Sequence, residues 1–598
     1  MLGTTGSTPK GSIAQPAQPI YLTDLDQCLP QTALAPALQL HHWRVLEYTT
    51  DLLSGNMLMV SEFTDAPEIS YPLRLKGWHS ISVGVVHQRL FDNQLQIKLS
   101  SDPSFSILTL RARPDRGIVD PRDGILWGVH IQELFWKAAD LTDQQMFFRQ
   151  LCIQMMPGDP PGTRRFGRIG LVYIKLTPLT LAEVEDLQAD RKRTDTRRLF
   201  AHNDASSYQY SSLVATPEDI KREIEPYRDS DFARLYWEAA YGDQMHYLGK
   251  SGWLATGEDV KEFYSAGEVL YSHTWRTFRD KGIDPLQVAV AYAHEVGVEL
   301  HAGFRTAGFL HSSLTEATFN HPGFYVEHPE LRGVGRDGKP SPRISYTYPE
   351  TRRFVLSLLR EVAEYGVDGI ALFYVRRPPL VEYEPPLIAG FMAEYGLDPR
   401  QLDSHDPRWL AYRCRILTQF MREVRQEMDA VARARGPQAK RIEVSAVVSA
   451  REEENFQNSM DIKAWIAEGL VDTIIPNTMS PRLNTTVESW PNIRDVDYWV
   501  SLTKGTQCKL APNIMPRGMP PEEYRRLAAA MYASGVENLF YWDCNGRATY
   551  DFSWDYLRRL GHREEIAAWM EAGEPALAPG RMVFNTLGGW NMEYDTPG

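Results

Sequence analysis

The chain has 598 residues, of which 43% are hydrophobic and 24% charged, a composition typical of folded globular proteins and not of disordered ones. It contains 64 basic and 77 acidic residues, for a net charge of -13, which argues against a nucleic-acid partner. At roughly 150 residues per domain the length corresponds to about four units, although a TIM barrel alone can exceed about 250 residues.

Targeting and covalent signals are few. The first 19 residues are rich in Gly, Ser, Pro and Thr and lack the apolar stretch of a secretory signal peptide. No apolar run of about 18 residues occurs, so we predict no membrane span. The five cysteines form no CxxC pair, which favours a reducing compartment over a disulfide scaffold. We therefore expect a cytoplasmic protein, or a secreted one whose leader is absent from this sequence.

The pattern of residues 20–180 predicts an antiparallel β-sandwich of the jelly-roll type. Segments such as NMLMVSEF, LKGWHSISVGVVH and FSILTLRAR alternate apolar and polar residues, are rich in β-branched and aromatic side chains, and lie between turn residues. Residues 1–19 are expected to form a flexible tail, and residues 181–195 a charged linker helix.

The rhythm of residues 196–572 is different, because buried strands alternate with long amphipathic helices. This alternation predicts an α/β fold, a (β/α)8 TIM barrel. The eight candidate strands are 198–204, 233–240, 298–305, 369–376, 441–449, 472–478, 509–514 and 538–543. A doubly wound sheet is the alternative, but no GxGxxG follows the first strand. Residues 573–598 contain β-like stretches, and we expect them to return to the sandwich.

The candidate site residues are polar side chains at strand ends, because a TIM barrel carries its active site where the strands end. The candidates for catalysis are four acids and one histidine that could transfer protons, namely Asp204, His301, Glu384, Glu452 and Asp543. The candidates for substrate binding are His202, Asp243, Arg305, Tyr374, Arg376, Arg377, Asn477, Asn513 and Trp542.

Two of these groups indicate particular chemistry. The adjacent guanidinium groups of Arg376 and Arg377 would suit a carboxylate or sulfate, which predicts a preference for an acidic sugar. Asp543 follows Trp542 directly, so a carboxylate would lie beside an aromatic face on which a sugar ring could stack.

Plainer explanations compete with each functional one. The acidic run that begins at Glu452 is also typical of a solvated helix face. His301 would serve equally well as a hydrogen-bonded core histidine, and Asp543 as the cap of a loop. The two adjacent arginines could pair with the glutamates a few residues further on.

Several stretches resemble the family-10-like glycosyl hydrolase barrels. The segment YPETRRFVLSLLREVAEYGVDGIAL contains the Pro-Glu-x-Arg start of that family's third crossover helix and the Tyr-x-x-Asp-Gly-Ile entry to its fourth strand. DPLQVAVAYAHEVGVELHAGF, VDTIIPNT and GVENLFYWD fit its third, sixth and eighth strands. The resemblance covers most of residues 200–550 and implies a carbohydrate-active barrel. The family closes its fourth strand with one or two aspartates, whereas Tyr374 to Arg377 stand here, so that catalytic acid is not carried over.

These observations leave three hypotheses. The first is a glycoside hydrolase that acts on a carbohydrate by carboxylate and histidine acid–base catalysis. The second is a non-catalytic carbohydrate-binding protein on a degenerate barrel, and the third is a polysaccharide lyase with His301 and a tyrosine as base and acid. No HExxH, P-loop, EF-hand or GxSxG motif occurs, so we predict no metal and no cofactor. The expected partner is a carbohydrate, without nucleic acid or membrane, and homo-oligomerisation stays open.

Overall fold

A computed structural model of the chain describes most of its residues. The described ranges are 18–87, 93–110, 129–153, 165–211, 214–258, 263, 265–309, 323–375, 378–478, 494–514, 519–544, 553–577 and 580–592.

The N-terminal region consists of short, mostly antiparallel strands. They are β1 Ile20–Leu22, β2 Leu34–Ala35, β3 Trp43–Thr49, β4 Ser54–Val60, β5 Ile69–Pro72, β6 Trp78–His87, β7 Asn93–Leu99, β8 Ser106–Leu110, β9 His130–Asp140, β10 Gln145–Gln150, β11 Cys152–Ile153, β12 Arg165–Phe166 and β13 Ile169–Pro178. One sheet contains β9, β6, β13, β4 and β3 in that order, with β1 beside β13 and β2 beside β3. The other has the order β5-β10-β7-β8.

The core of this region lies between the two sheets and follows from the alternation along each strand. In β7, Leu95, Ile97 and Leu99 are fully buried, whereas the ammonium group of Lys98 lies 4.8 Å from the ring centre of Phe105. Strand β13 contributes further buried side chains to the same core. The predicted antiparallel sheet region is thereby confirmed.

A helix, α1 (Leu181–Arg191), leads from the sandwich to the barrel. It begins with a capping box, in which Glu183 N–H donates to Thr180 Oγ1 at 3.3 Å and Thr180 N–H donates to the Glu183 carboxylate at 2.7 Å. At its other end, Asp190 accepts hydrogen bonds from Arg559 and His562 of the barrel, each at 2.8 Å. The helix therefore connects the two regions through buried and half-buried polar contacts as well as through the chain.

The second region is a parallel barrel, as predicted. Its strands and their short antiparallel additions are β14 Leu199–Asn203, β15 Phe232–Tyr241, β16 Gln244–Met245, β17 Glu299–Arg305, β18 Arg332–Val334, β19 Pro340–Ile344, β20 Gly369–Phe373, β21 Glu443–Ser449, β22 Thr473–Asn477, β23 Lys509–Leu510 and β24 Leu539–Tyr541. The parallel order is β23-β22-β21-β20-β17-β15-β14-β24. A parallel bridge between Asn513, which follows β23 by three residues, and Phe540 of β24 closes the barrel. All eight predicted strands are present.

The helices of the barrel pack around these strands. They are α2 Ser207–Ser211, α3 Pro217–Lys221, α4 Ala266–Lys281, α5 Pro285–Glu295, α6 Phe324–Glu327, α7 Pro349–Glu364, α8 Pro385–Tyr395, α9 Pro407–Ala434, α10 Glu452–Gln457, α11 Ile462–Ala467, α12 Asp495–Thr503, α13 Pro521–Ala533, α14 Trp554–Leu557 and α15 Arg563–Glu571. Several begin with proline, whose missing N–H costs nothing in the first turn. In α5 the preceding Asp284 caps the helix by accepting from the N–H groups of Leu286 and Gln287.

The C-terminal segment pairs with the sandwich, although it follows the barrel in the chain. Its strands are β25 Arg581–Val583, β26 Thr586–Leu587 and β27 Trp590–Asn591. β25 pairs with β9, and β26 pairs with β3, both antiparallel. Phe584 between them is 2% exposed and packs edge-on against Tyr48. The segments that precede and follow the barrel in the sequence therefore share one sheet.

Candidate active site

Four side chains meet inside the barrel near the C-terminal ends of four neighbouring strands. They are His202 of β14, Glu238 of β15, Arg305 of β17 and Asp543, which follows β24, and we call them the mouth cluster. Alternate residues of each strand point into the barrel, and β24, β14, β15 and β17 are consecutive in the sheet. Closure of the barrel thus brings together residues that lie more than 300 positions apart, as in the contact between His202 and Asp543.

His202 is the centre of the cluster. It is fully buried, and its Nε2 lies 2.8 Å from Oε1 of Glu238. Its Nδ1 lies 3.2 Å from Oδ1 of Asp543 and also 3.2 Å from the backbone nitrogen of Asp543. When Nδ1 is unprotonated it accepts the backbone N–H, and when it is protonated it donates to the carboxylate. The imidazole can therefore keep hydrogen bonds in both protonation states.

Glu238 is held between His202 and Arg305. Its side chain is 1% exposed, and both of its oxygens accept from Nε of Arg305, at 2.7 and 2.8 Å. Nη2 of Arg305 lies 2.6 Å from Oε1. A register shift in the pairing of β15 with β17 follows Glu238 directly, and such bulges are frequent beside active sites, where they redirect a side chain.

The charges of the cluster set its acid–base properties. Burial by itself lowers the pKa of His202, but hydrogen bonds and charge attraction from Asp543 and Glu238 outweigh burial and raise that pKa above its usual value. Burial likewise raises the pKa of Glu238, but Arg305 and His202 together lower it below the usual value. The favoured state is therefore an ionised Glu238 beside a protonated His202.

Aromatic side chains pack around the buried ring of His202. The Trp542 indole stacks on its ring at 4.1 Å with 12° between the planes, and Phe373 meets it edge-on at 5.1 Å. A side chain at Gly303 would come within 2.6 Å of the Phe373 ring, so the glycine leaves room for that ring. Trp542 is fully buried, so the indole face covered by His202 is not the open sugar platform expected from the sequence.

The backbone is in the left-handed region just beyond two of the strands. Asp543 has φ of 48°, and Ala205, which follows β14 by two residues, has φ of 55°. This conformation is uncommon for residues other than glycine, costs on the order of 1 kcal/mol, and is found preferentially at functional sites. These two residues follow β24 and β14, which are adjacent strands, so both unusual backbone conformations lie at the same side of the barrel mouth.

Asp204 lies at the end of β14 and is 8% exposed. Its Oδ1 accepts the backbone N–H groups of Ser206 and Ser207, at 3.2 and 2.8 Å, and its Oδ2 accepts the hydroxyl of Ser207. Asp204 therefore holds the first residue of α2 in place. It also follows His202 of the mouth cluster by two positions in the sequence.

The other predicted polar residues occupy several positions around the ends of the strands. Asn477 and Asn513 are fully buried, and Oδ1 of Asn513 accepts the backbone N–H of Trp542 at 3.2 Å. Asp243, 9% exposed, accepts the backbone N–H of Tyr325 at 3.1 Å, and burial raises its pKa. Asn513 thus stabilises the turn that contains Asp543. Asp243, which follows β15, instead binds the backbone of the segment around Tyr325.

Two predicted residues lie away from the mouth cluster. One is deeper inside the barrel, and the other is on the outer face of its strand. His301 is deeper in the barrel, beside Tyr236 at 5.2 Å and Ser445 at 3.4 Å, and its burial lowers its pKa well below the usual value. Tyr374 points out of the barrel, where its hydroxyl donates to the sulfur of Met421 at 3.1 Å. Neither belongs to the group of residues around His202.

Two predicted acids belong to the helical layer. Glu384 directly precedes α8. It is fully buried and accepts the hydroxyl of Thr347 at 2.9 Å, and burial raises its pKa. Glu452 begins α10 and lines a groove with Leu410 and Phe456 on the outside of the barrel. Burial also raises the pKa of Glu452. Both positions are those of structural or surface carboxylates and not of groups inside the mouth.

Arg376 and Arg377 lie outside the described residues. The predicted preference for an acidic sugar, which depends on them, therefore stays a prediction.

Glu238 is the member of the cluster that was not predicted from the sequence. The predicted site residues lie at strand ends, whereas Glu238 lies inside the apolar segment ARLYWEAA. The available signal was its spacing of two from Tyr236 and of four from Arg234, which places all three on one face of the strand. A glutamate on the inner face of a barrel strand requires a partner, and Arg305 is that partner.

Within the described ranges, no group of three or more His, Cys, Asp or Glu side chains is arranged to hold a metal ion. Among the helices of those ranges, none combines the length and apolar character needed to cross a bilayer.

Comparison with known families supports the resemblance. Residues 264–510 match the model of a family described as Glycosyl hydrolase-like 10, which confirms the resemblance inferred from the sequence motifs. The matched part extends from just before α4 to the end of β23 and contains five of the eight strands that form the barrel wall. No curated protein matches the chain.

Similar solved structures include three glycoside hydrolases. The beta-galactosidase from the psychrophilic Marinomonas ef1 is 10% identical, with a TM-score of 0.37, and the match covers 63% of this chain and 61% of that one. The alpha-galactosidase from Thermus thermophilus is 12% identical, with a TM-score of 0.32 and coverages of 85% and 95%. The glycoside hydrolase domain of PelA from Pseudomonas aeruginosa is 13% identical, with a TM-score of 0.27 and coverages of 43% and 82%.

Proposed function

We propose that this chain hydrolyses O-glycosidic bonds in a carbohydrate and that the mouth cluster is its catalytic centre. The observation that carries the proposal is the buried series Glu238–His202–Asp543, joined by contacts of 2.8 and 3.2 Å at the end of the barrel where TIM-barrel enzymes carry their active sites. The match to a glycosyl hydrolase-like family supports the class of reaction.

Asp543 is the residue that we assign to proton transfer with the substrate. Hydrolysis of a glycoside requires a group that protonates the leaving oxygen and a second group that activates water or attacks the sugar. His202, whose pKa is raised, stores a proton next to Asp543, because its Nδ1 lies 3.2 Å from Oδ1 of that carboxylate. A proton can pass from Nδ1 to the Asp543 carboxylate, which leaves His202 neutral, and the carboxylic acid so formed can then protonate the leaving oxygen.

Glu238 and Arg305 are assigned as positioning residues. The Glu238 carboxylate fixes Nε2 of His202 at 2.8 Å, which fixes the orientation of Nδ1 towards Asp543. Arg305 keeps Glu238 ionised and is itself 11% exposed at its side chain. This arrangement resembles in its logic the acid–histidine pairs that orient an imidazole in other hydrolases.

Asp204 is the candidate for the second carboxylate. Its carboxyl group lies directly after β14 and is 8% exposed, and a second carboxyl group at the mouth could act as nucleophile or general base. It follows β14, the strand next to β24, so it and Asp543 lie at the ends of adjacent strands. Asn477, Asn513 and Arg305 are candidates for hydrogen bonds to sugar hydroxyls.

The test is turnover by matched variants on a panel of aryl glycosides and oligosaccharides. Asp543→Asn keeps the size of the side chain and removes its acid–base function, so we expect kcat to fall by about 10²- to 10⁴-fold. Asp280→Asn is the control, because Asp280 is 63% exposed on α4, far from the mouth in the fold, and it should keep wild-type activity. Unchanged kcat in Asp543→Asn, with thermal stability intact, would refute the assignment.

Non-catalytic carbohydrate binding is the second candidate, and one observation favours it. The inward-facing side chains of the β20 segment are Ala371, Phe373 and Val375, all apolar and buried, so this strand contributes no described acid to the mouth. Measured binding of an oligosaccharide without any turnover, by the wild-type chain, would favour this function over hydrolysis.

A further inference from the structure

A cavity of about 680 Å³ lies between the sandwich and the barrel. Its walls come from β9 of the sandwich, from α1, and from the barrel segments 225–229 and 554–559. The backbone of Arg558 accepts the N–H of Asp231, the residue that precedes β15, so this cavity lies where the barrel strands begin. It is therefore at the opposite end of the barrel from the mouth cluster.

Three tryptophans line this cleft. Trp78, Trp136 and Trp554 are all half-buried. In the part of the chain that the structure describes, none of their indole N–H groups donates to a protein acceptor. Sugars bind proteins through aromatic faces and through donors that remain free at the edge of a ring. The cleft offers both.

The indole rings are also held in fixed positions. The guanidinium of Arg191 lies 5.5 Å from the Trp78 ring centre, and Nζ of Lys137 lies 4.6 Å from that of Trp136. The Trp554 ring stacks on Phe232 at 5.3 Å. Rings that are already ordered lose little conformational entropy when a ligand binds.

Paired charges provide the polar part of the lining. Arg191 pairs with Asp229 at 3.1 Å, and Arg558 with Asp555 at 2.7 Å. Such pairs hold donors and acceptors at fixed positions for sugar hydroxyls. The lining contains seven acidic and five basic residues, a balance that disfavours an anionic ligand.

From these observations we propose that the cleft is a second carbohydrate-binding site, specific for neutral oligosaccharides. The class of ligand rests on the proposed function, but the site is separate from the mouth cluster. Its volume is in the range of known small-ligand sites, and such sites are frequent at domain interfaces. A site at this end would hold a glycan chain to the protein without taking part in the reaction.

The test is calorimetric titration of the full chain with four neutral tetrasaccharides: cellotetraose, maltotetraose, β-1,4-mannotetraose and β-1,4-galactotetraose. We expect Trp136→Ala to weaken binding of the recognised sugar by about tenfold or more, and Trp136→Phe to weaken it less, because the aromatic face is kept. Trp590→Ala is the matched control, since Trp590 is 70% exposed on β27 and outside the cleft. Turnover of a small aryl glycoside should stay unchanged in all three variants.

Combination with Asp543→Asn separates the two proposals. Binding that survives in Asp543→Asn and weakens with Trp136→Ala supports the cleft, even if no substrate is hydrolysed. Binding that is equal in wild type, Trp136→Ala and Trp78→Ala overturns it, as does failure of all four sugars to bind. Because Trp136 also packs on the sandwich core, thermal unfolding of each variant is measured, and Trp78→Ala or Trp136→Phe replaces any variant that does not fold.

Discussion

Two histidines in the barrel interior are equally buried and have opposite acid–base properties. His202 lies within 3.2 Å of two carboxylates, which raise its pKa in spite of burial. Burial lowers the pKa of His301, and the nearby cations Arg234 and Lys509 lower it further. The charge of the neighbours, and not the depth of burial, thus decides which imidazole is charged. Only the histidine near the mouth is suited to store a proton.

The two ends of the barrel also differ in how their charged groups are exposed. At the end where strands begin, Arg234 is 1% exposed and binds Glu299 at 2.8 Å and Glu443 at 2.7 Å. These two carboxylates are 47% and 25% exposed, so water can replace a lost partner. At the mouth, Glu238 is 1% exposed, and no such replacement is available. We therefore expect the Arg234 network to tolerate the loss of one carboxylate, and the Arg305–Glu238 pair not to tolerate it.

The largest expected effect is therefore on stability at Glu238. Glu238→Gln leaves a buried guanidinium without its counter-charge, and we expect the free energy of unfolding to fall by about 3–5 kcal/mol. Glu299→Gln is the matched change at the other end and should cost about 1 kcal/mol or less, because Glu299 is half exposed and Arg234 keeps Glu443. Urea unfolding of both variants measures the difference. Equal losses would show that exposure does not distinguish the two networks.

The fold could be predicted from the sequence because its signals are local. Each barrel strand is a short apolar run followed by a helix pattern, and the alternation of β7 already marks a two-sided sheet. The mouth cluster depends on non-local contacts instead. His202 and Asp543 meet only because the first and eighth strands become neighbours when the barrel closes, and a sequence gives the order of strands but not the distances between them.

Other site residues could have been placed better from periodicity alone. Tyr374 differs by one position from Phe373, which points into the barrel, so alternation already predicts that Tyr374 points outwards. Glu384 precedes two prolines, a position typical of a helix cap. For Glu452, by contrast, the position in the acidic run allowed both a surface and a mouth location, and only the tertiary structure separates the two.

The second prediction concerns the pH dependence of stability, where the two histidines should act in opposite directions. The raised pKa of His202 means that its contribution is complete below the unfolded pKa of about 6.5 and is lost as pH rises through the folded pKa. The lowered pKa of His301 means that stability is lost as pH falls below about 6.5. Each histidine changes the slope by up to about 1.4 kcal/mol per pH unit.

The free energy of unfolding, measured between pH 5 and 9, tests these two opposite pH dependences. His202→Gln should remove the loss of stability on the alkaline side, and His301→Gln the loss on the acidic side. Both variants replace imidazole with a neutral amide that keeps some hydrogen bonding. Parallel curves for wild type and both variants, or changes on the same side of neutrality, would contradict opposite charge states for the two rings.

The smallest expected effect is at Tyr374, and it tests whether the active site includes the outer face of β20. Tyr374→Phe removes one hydroxyl that donates to the Met421 sulfur in the helical layer, so unfolding free energy should fall by only about 0.5–1 kcal/mol. Because the side chain points away from His202, kcat should stay within about twofold of wild type, against the loss of about 10²-fold or more expected for Asp543→Asn. Steady-state kinetics on the same aryl glycoside give both numbers. A tenfold loss of kcat in Tyr374→Phe, with stability unchanged, would place the strand-four tyrosine in the reaction and would move the site towards the outer face of β20.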